Sequence, residues 1–217
     1  MKNKKKDFTI IILPIILFIG IIALGSLRIK RGNSVCSEID FLFIGFYIIW
    51  IIAESKISKK DFHTEGKENF DTGTCQIYAV GQGLTFLTAL WFPSIWTQPS
   101  VILFSSFFIF IFGIIFRLWS IQTLGKYYSH KVCKVEEHKV VDSGPYRFIR
   151  HPAYAGMIFA NLGIIIYFFN WVTLFVFLIV LLPAIIRRIY VEEKMLFEID
   201  GYSNFAMTRK KLFPGVW

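Results

Sequence analysis

Charge and cysteine are both scarce in this chain. Only 18% of its 217 residues are charged, where a soluble protein typically has about 25%. The three cysteines, Cys36, Cys75 and Cys133, are odd in number and form no C-x-x-C pair, which excludes a disulfide scaffold. His63, His130, His138 and His151 make neither H-E-x-x-H nor another metal-ligand spacing, so no metal is expected. There is no G-x-G-x-x-G and no P-loop. Gly81-Gln82-Gly83 lies within an apolar run and reads as a close-packing point between helices. No internal repeat or low-complexity tract interrupts the chain.

What is abundant is apolar and aromatic. Hydrophobic residues make up 55% and aromatics 18%, with 24 Phe, 9 Tyr and 6 Trp. Disordered and collagen-like classes are excluded by that content. A single domain of this size buries only about two-thirds of the surface its unfolded chain exposes. The apolar surface left over needs lipid.

The apolar residues lie in blocks. Phe8–Leu27 contains no charge and is long enough, at 1.5 Å per residue, for a hydrocarbon core about 30 Å thick. Ile39–Ala53, Cys75–Phe92 and Ser100–Phe116 follow, the last continuing through Arg117 towards Leu124. Tyr154–Phe169 and Trp171–Ile186 are separated only by Asn170. No barrel-like alternation is present, so the segments are helices. The expected fold is an all-α, polytopic membrane bundle of five to six segments, the last two forming a helical hairpin.

The net charge of +9 invites a nucleic-acid reading, but its placement explains it better. If the N-terminus is cytoplasmic, as Lys2, Lys4, Lys5 and Lys6 imply, only Arg28, Lys30 and Arg31 fall outside. Every other Lys and Arg is then inside, as the positive-inside rule asks. Both termini are expected in the cytoplasm, and no nucleic acid is expected as a partner. The first block could instead be a signal peptide cleaved near Ala23-Leu24-Gly25; its length favours a retained helix. On this topology Cys36 is outside and the other two cysteines inside, so no disulfide is expected. The Lys-, Ile- and Phe-heavy composition looks like that of an AT-rich bacterial genome, which would place the chain in an inner membrane.

Two polar stretches remain for chemistry, both on the inner side. The first is Leu124–Gly156, in which Ser143-Gly144-Pro145 is a turn signal and Pro152 can open the fifth helix. Arg150, His151 and Tyr154 would then sit where free helix N–H groups can hold a polar or anionic ligand. Arg147, Arg150 and the tyrosines can equally be read as headgroup anchors. The second stretch is the tail from Arg187, where Arg188 and Glu192 are four apart and share a helix face. An ordinary surface ion pair would give the same spacing. Met195, Leu196 and Ile199 would pack the tail onto the bundle, and Gly201 would end its helix.

The run Gly144-Pro145-Tyr146, then Arg150-His151-Pro152-Ala153-Tyr154-Ala155-Gly156, then a hairpin and Glu192-Glu193, resembles the isoprenylcysteine carboxyl methyltransferase family. Those are integral-membrane enzymes that use S-adenosylmethionine. The resemblance covers roughly 118–217, implying N-terminal membrane helices over 1–117 and a methyltransferase core of loop, hairpin and tail over 118–217. It implies that His138, Lys139, Val140, Val141, Tyr146, His151, Pro152, Ala153, Tyr154 and Glu192 bind the cofactor. It implies that Arg188 orients an acceptor carboxylate. The loop is somewhat shorter than in eukaryotic members, which carry a Gln near Cys133. The implied partners are membrane lipids and a lipophilic or prenylated acceptor.

Those residue types suit such a reaction. A sulfonium donor carries an activated methyl group, so the protein must position more than it must move protons. Tyr faces and a carboxylate suit a cation, and an Arg fork suits a carboxylate. An amine or thiol acceptor would need a base, for which His130, His138 and His151 are loose candidates. The alternatives are methylation of another small lipid, thiol or amine, an NADPH-dependent membrane reductase of related architecture, and a non-catalytic scaffold. The Glu192-Glu193 tail argues against the reductase.

Overall fold

A computed structural model describes residues 2–32, 34–61, 73–129, 139–213 and 217, those of 2–14 and 58–61 as backbone only. His63, His130, Cys133 and His138 lie outside the described residues. Helices occupy all six apolar blocks: α1 (Lys2–Lys30), α2 (Ser37–Asp61), α3 (Thr74–Trp91), α4 (Val101–Leu124), α5 (Pro152–Tyr167), and a rod made of α6 (Trp171–Val176) and α7 (Leu182–Leu196). A short α8 (Tyr202–Thr208) closes the chain. Among the described residues there is one isolated bridge, Ile149 with Lys210, and no strand. The all-α expectation is borne out.

Among the described residues, two stretches meet the length and apolarity needed to cross a membrane, Val101–Tyr127 and Trp171–Leu196. Only 33% and 39% of their apolar windows are buried inside the protein. Ile19, Phe41, Phe108 and Ile179 are each 60% exposed or more. Side chains of this kind on the outside of a bundle fit lipid as solvent. α5 is apolar but has only 16 residues.

Local signals set the helix boundaries. Pro152 opens α5 after a non-helical His151, as the sequence suggests. Gly144 adopts φ +55°, in the left-handed region, and starts a 3₁₀ turn over Gly144–Arg147. Asn170 accepts a hydrogen bond from the Thr173 amide at 2.8 Å and caps α6. Between α6 and α7 the rod widens into a π turn at Phe177–Leu181. Pro183 lies one turn on; it has no N–H to donate and its ring crowds the preceding carbonyl, so the ladder slips there.

The hairpin connection is as short as expected, yet its two helices find their main partners elsewhere. α5 lies along α4, and the α6–α7 rod lies along α3. A Cβ on Gly163 would stand 2.6 Å from the Phe110 amide and the Ser106 carbonyl. One on Gly156 would stand 2.7 Å from the Arg117 amide. α4 and α5 therefore meet backbone to backbone, the small-residue contact that membrane helices favour. Gly81 does the same for α3, with the Leu181 Cα 3.1 Å from where its Cβ would be.

Aromatic stacking fills the centre. Tyr47 stacks on Phe86 at 3.7 Å, and Phe43 on Tyr167 at 4.5 Å and Phe110 at 4.9 Å. At one end, Arg28 of α1 pairs with Asp40 of α2 at 3.1 Å and donates to the Phe92 carbonyl at 3.1 Å. The Tyr167 hydroxyl donates to Asp40 at 2.7 Å. Arg28, a basic residue expected outside, is thus consumed as a buried clip. Neither Cys36, beside this clip, nor Cys75, towards the opposite end, forms a disulfide.

Candidate active site

At the end opposite that clip, α7 presents one face to the loop before α5. Arg188 and Glu192 are on it, one helical turn apart, as their spacing predicts. Arg188 Nε donates to the Tyr154 hydroxyl at 2.8 Å, and its Nη1 to Thr74 Oγ1 at 3.4 Å. Arg188 is 4% exposed. α7 thereby joins the first turn of α5 to the start of α3.

A cleft of about 680 Å³, counted to its open mouth, lies beside this face. Lys139, Val140, Val141, Tyr146, Arg188 and Glu192 line it. Its far wall is a small apolar core of Met195, Ile199, Tyr202 and Phe205. Met195, Leu196 and Ile199 pack the tail back as expected. Burial pushes the Tyr146 phenol well above its ordinary range, with nearby Glu192 adding to the effect. Tyr202 shifts upward for the same first reason. Both therefore remain neutral hydroxyls at cellular pH.

A second cavity of about 490 Å³ continues from the first, sharing Tyr128, Tyr146, Arg188 and Glu192 with it. His151, Ala153 and Tyr154 line this one. Pro152 is buried and lines neither cavity. Ten of the eleven residues singled out from the sequence are described, and all but Pro152 reach one cavity or the other. His138 lies outside the described residues.

Sequence inspection alone does not find the floor of the second cavity. Arg117 of α4 pairs with Glu54 of α2, its Nη2 2.9 Å from Glu54 Oε2, and its Nη1 donates to the Ala153 carbonyl at 3.1 Å. Arg117 Nη2 also reaches the Tyr128 hydroxyl at 3.4 Å. An arginine inside an apolar helix is the one signal that could have pointed here. Nothing marked Glu54, Cys75 or Tyr78. Breaking a buried pair leaves an uncompensated charge. Glu54→Ala should therefore destabilise the protein by about 3 kcal/mol, read as a lower Tm in detergent. Glu54→Ala/Arg117→Met should recover part of that loss.

The two adjacent glutamates do different work. Glu193 Oε1 lies 2.7 Å from Arg150 Nη1 and 3.2 Å from His151 Nε2, and its Oε2 lies 3.5 Å from Lys211 Nζ. It is the hub of a cluster that ties the tail to the start of α5. Glu192 remains at the cavities, 3.9 Å from His151 Nδ1. One sequence expectation needs correction here. The backbone amides of Arg150 and His151 are not open to a ligand, because they donate to the Lys210 and Lys211 carbonyls at 2.9 Å each. The tail satisfies them in β-like register, and Arg209 Nε adds a bond to the Arg147 carbonyl at 3.1 Å.

Other polar atoms at the cavities have no hydrogen-bond partner among the described residues. These are Arg150 Nε, the Tyr202 hydroxyl and the Tyr78 hydroxyl, each buried. Buried donors of this kind normally find a partner. These donors suit acceptor oxygens on a polar ligand, while the Glu192 carboxylate and the tyrosine faces suit a positive charge elsewhere on it. Among the described residues no group of His, Cys, Asp or Glu converges as a metal site.

Residues 105–198 match the model of the isoprenylcysteine carboxyl methyltransferase (ICMT) family. The chain is 32% identical over 100 residues to protein-S-isoprenylcysteine O-methyltransferase B of Arabidopsis thaliana, covering 44% of this chain and 51% of that protein. It is 32% identical over 108 residues to protein-S-isoprenylcysteine O-methyltransferase of Saccharomyces cerevisiae, covering 49% and 45%. It is 34% identical over 84 residues to the uncharacterized protein YpbQ of Bacillus subtilis, covering 39% and 50%. The chain thus spans about half the length of the curated relatives it matches. A solved structure of the eukaryotic intramembrane Ras methyltransferase ICMT superposes with a TM-score of 0.53 at 22% identity, covering 88% of this chain and 68% of that one. That likeness establishes the fold.

Proposed function

We propose, taking the likeness to isoprenylcysteine carboxyl methyltransferases as the premise, that this chain is an integral-membrane methyltransferase. It would move a methyl group from S-adenosylmethionine to a lipophilic acceptor, by family default the carboxylate of a prenylcysteine-like molecule. The observation that carries this is the face of α7, where Arg188 and Glu192 stand side by side at two joined cavities.

S-adenosylmethionine, when bound, supplies a methyl group on a sulfonium, which an acceptor lone pair takes as the C–S bond breaks and its electron pair returns to sulfur. The chain's residues have the complementary tasks. Glu192 offers a negative charge to a cation, and the Tyr146 and Tyr154 rings offer π faces. Val140 and Val141 give the larger cleft an apolar wall. Arg188, held by Tyr154 and Thr74, presents a guanidinium that can fix a carboxylate in one orientation. An ionised carboxylate needs no base, so no residue has to accept a proton. Fixing both reactants in line is the catalytic contribution.

The division near Leu118 is one of labour, since α4 runs through it unbroken. The site-bearing end would face the cytoplasm, because almost all the basic residues gather there. That end meets both a water-soluble donor and an acceptor carried in the bilayer. Full-length protein in detergent should bind radiolabelled S-adenosylmethionine and not NADPH. Binding of NADPH alone would favour a reductase, and binding of neither would favour a scaffold.

A further inference from the structure

The second cavity is built on one side by residues of the family-matching stretch, Tyr154, Arg188 and Glu192, and on the other by Cys75 and Tyr78 of α3. α3 lies outside residues 105–198. Tyr78 is the unusual member. Its hydroxyl is buried and has no hydrogen-bond partner among the described residues. Two guanidiniums approach its ring, Arg117 with Cζ 6.0 Å from the centroid and Arg188 with Cζ 5.9 Å. Those distances are at the limit of a cation–π contact. Tyr78 is thus a cavity-lining residue with an unsatisfied hydroxyl between two guanidiniums.

We propose that Tyr78 is the specificity-determining residue for the methyl acceptor, its hydroxyl donating to an anionic oxygen of a lipid-borne carboxylic acid seated in the second cavity. This rests on the methyltransferase function proposed above and extends it to a residue the shared stretch does not contain. Arg117, Arg150 and Arg188 line the cavity beside the carboxylate of Glu192, with Arg117 paired to Glu54 and Arg150 to Glu193. A carboxylate is matched there both by the Arg188 fork and by the Tyr78 donor. A hydrogen bond to an anionic oxygen is about twice as strong as one to a neutral oxygen, so the acid is favoured over its ester.

The test is equilibrium binding to the full chain in detergent, with S-adenosylhomocysteine present. The probes are N-acetyl-S-farnesylcysteine, which carries the acid, and its methyl ester. Wild-type protein should bind the acid at least about tenfold more tightly than the ester. Tyr78→Phe keeps the ring and both guanidinium contacts and removes only the hydroxyl. It should weaken acid binding about tenfold while leaving ester and S-adenosylmethionine affinities within about twofold. Equal binding of acid and ester, failure of the acid to bind, or unchanged acid affinity in Tyr78→Phe would overturn the proposal. If S-adenosylmethionine binds normally in those cases, only the role of Tyr78 falls. If it does not bind even to the wild type, the methyltransferase function falls with it.

Discussion

Glu192→Ala should abolish measurable S-adenosylmethionine binding while leaving the protein folded and monodisperse in detergent. Glu192 lines both cavities, and its side chain is 26% exposed. It is therefore free to serve a ligand in a way a fully committed structural carboxylate is not. Removing one partner of a desolvated charge pair costs about 2 kcal/mol or more, which is ~30-fold or more in affinity. Glu193→Ala is the informative control. Glu193 holds Arg150, His151 and Lys211, so its loss should loosen the tail and lower Tm. The expected contrast is affinity lost without stability at one position, and stability lost at its neighbour. Full donor affinity in Glu192→Ala would remove this residue from the binding site.

Gly156→Leu should prevent formation of the native bundle altogether. A Cβ at Gly156 would lie 2.7 Å from the Arg117 amide, 2.9 Å from the Arg117 Cβ and 2.8 Å from the Gly113 carbonyl. Two of these three are backbone atoms, which cannot rotate away. The whole α4–α5 contact would have to open by more than an ångström. Overpacking of this kind against backbone belongs with the largest single-residue effects, about 4 kcal/mol or more. Size-exclusion chromatography in detergent should show aggregate in place of a single peak, and Gly156→Ala should already lower Tm. The effect would reach the site as well. α4 carries Arg117 and leads into Tyr128, whereas α5 carries Tyr154, so parting the helices would open the second cavity. A Gly156→Leu protein that stays monodisperse with unchanged Tm would mean that α4 and α5 do not meet in this register.

Some of this site was legible from local rules. The placing of Arg188 and Glu192 on one face needs only the 3.6-residue turn and a helix that continues past the apolar block. Pro152 marked the start of α5, and Gly144 marked the turn before it. The cavity-lining stretch Lys139–Val141 and Tyr146 came from the resemblance to the methyltransferase family. Other features could not be read this way. Glu54 and Arg117 are 63 positions apart, and no periodicity links them. The tail's occupation of the Arg150 and His151 amides is likewise a long-range pairing, and it reverses a sequence expectation. Adjacent Glu192 and Glu193 point about 100° apart on a helix. Which of them faces the cavity depends on the phase of α7, and the π turn before Pro183 shifts that phase.

By itself, then, the sequence determined the solvent and the class of fold. A chain with so little charge and such long apolar blocks must use lipid, and lipid admits only helices here. It also determined which two polar stretches could hold chemistry. Tertiary structure decided how those stretches are completed. Backbone contact between α4 and α5 at Gly156 and Gly163 brings Arg117 beneath Ala153, and the seating of the rod on α3 at Gly81 brings Thr74, Cys75 and Tyr78 to Arg188. The physical reason is range. Burial and helix periodicity are sums over neighbours in sequence, whereas the cavities are made by atoms that only close packing brings together.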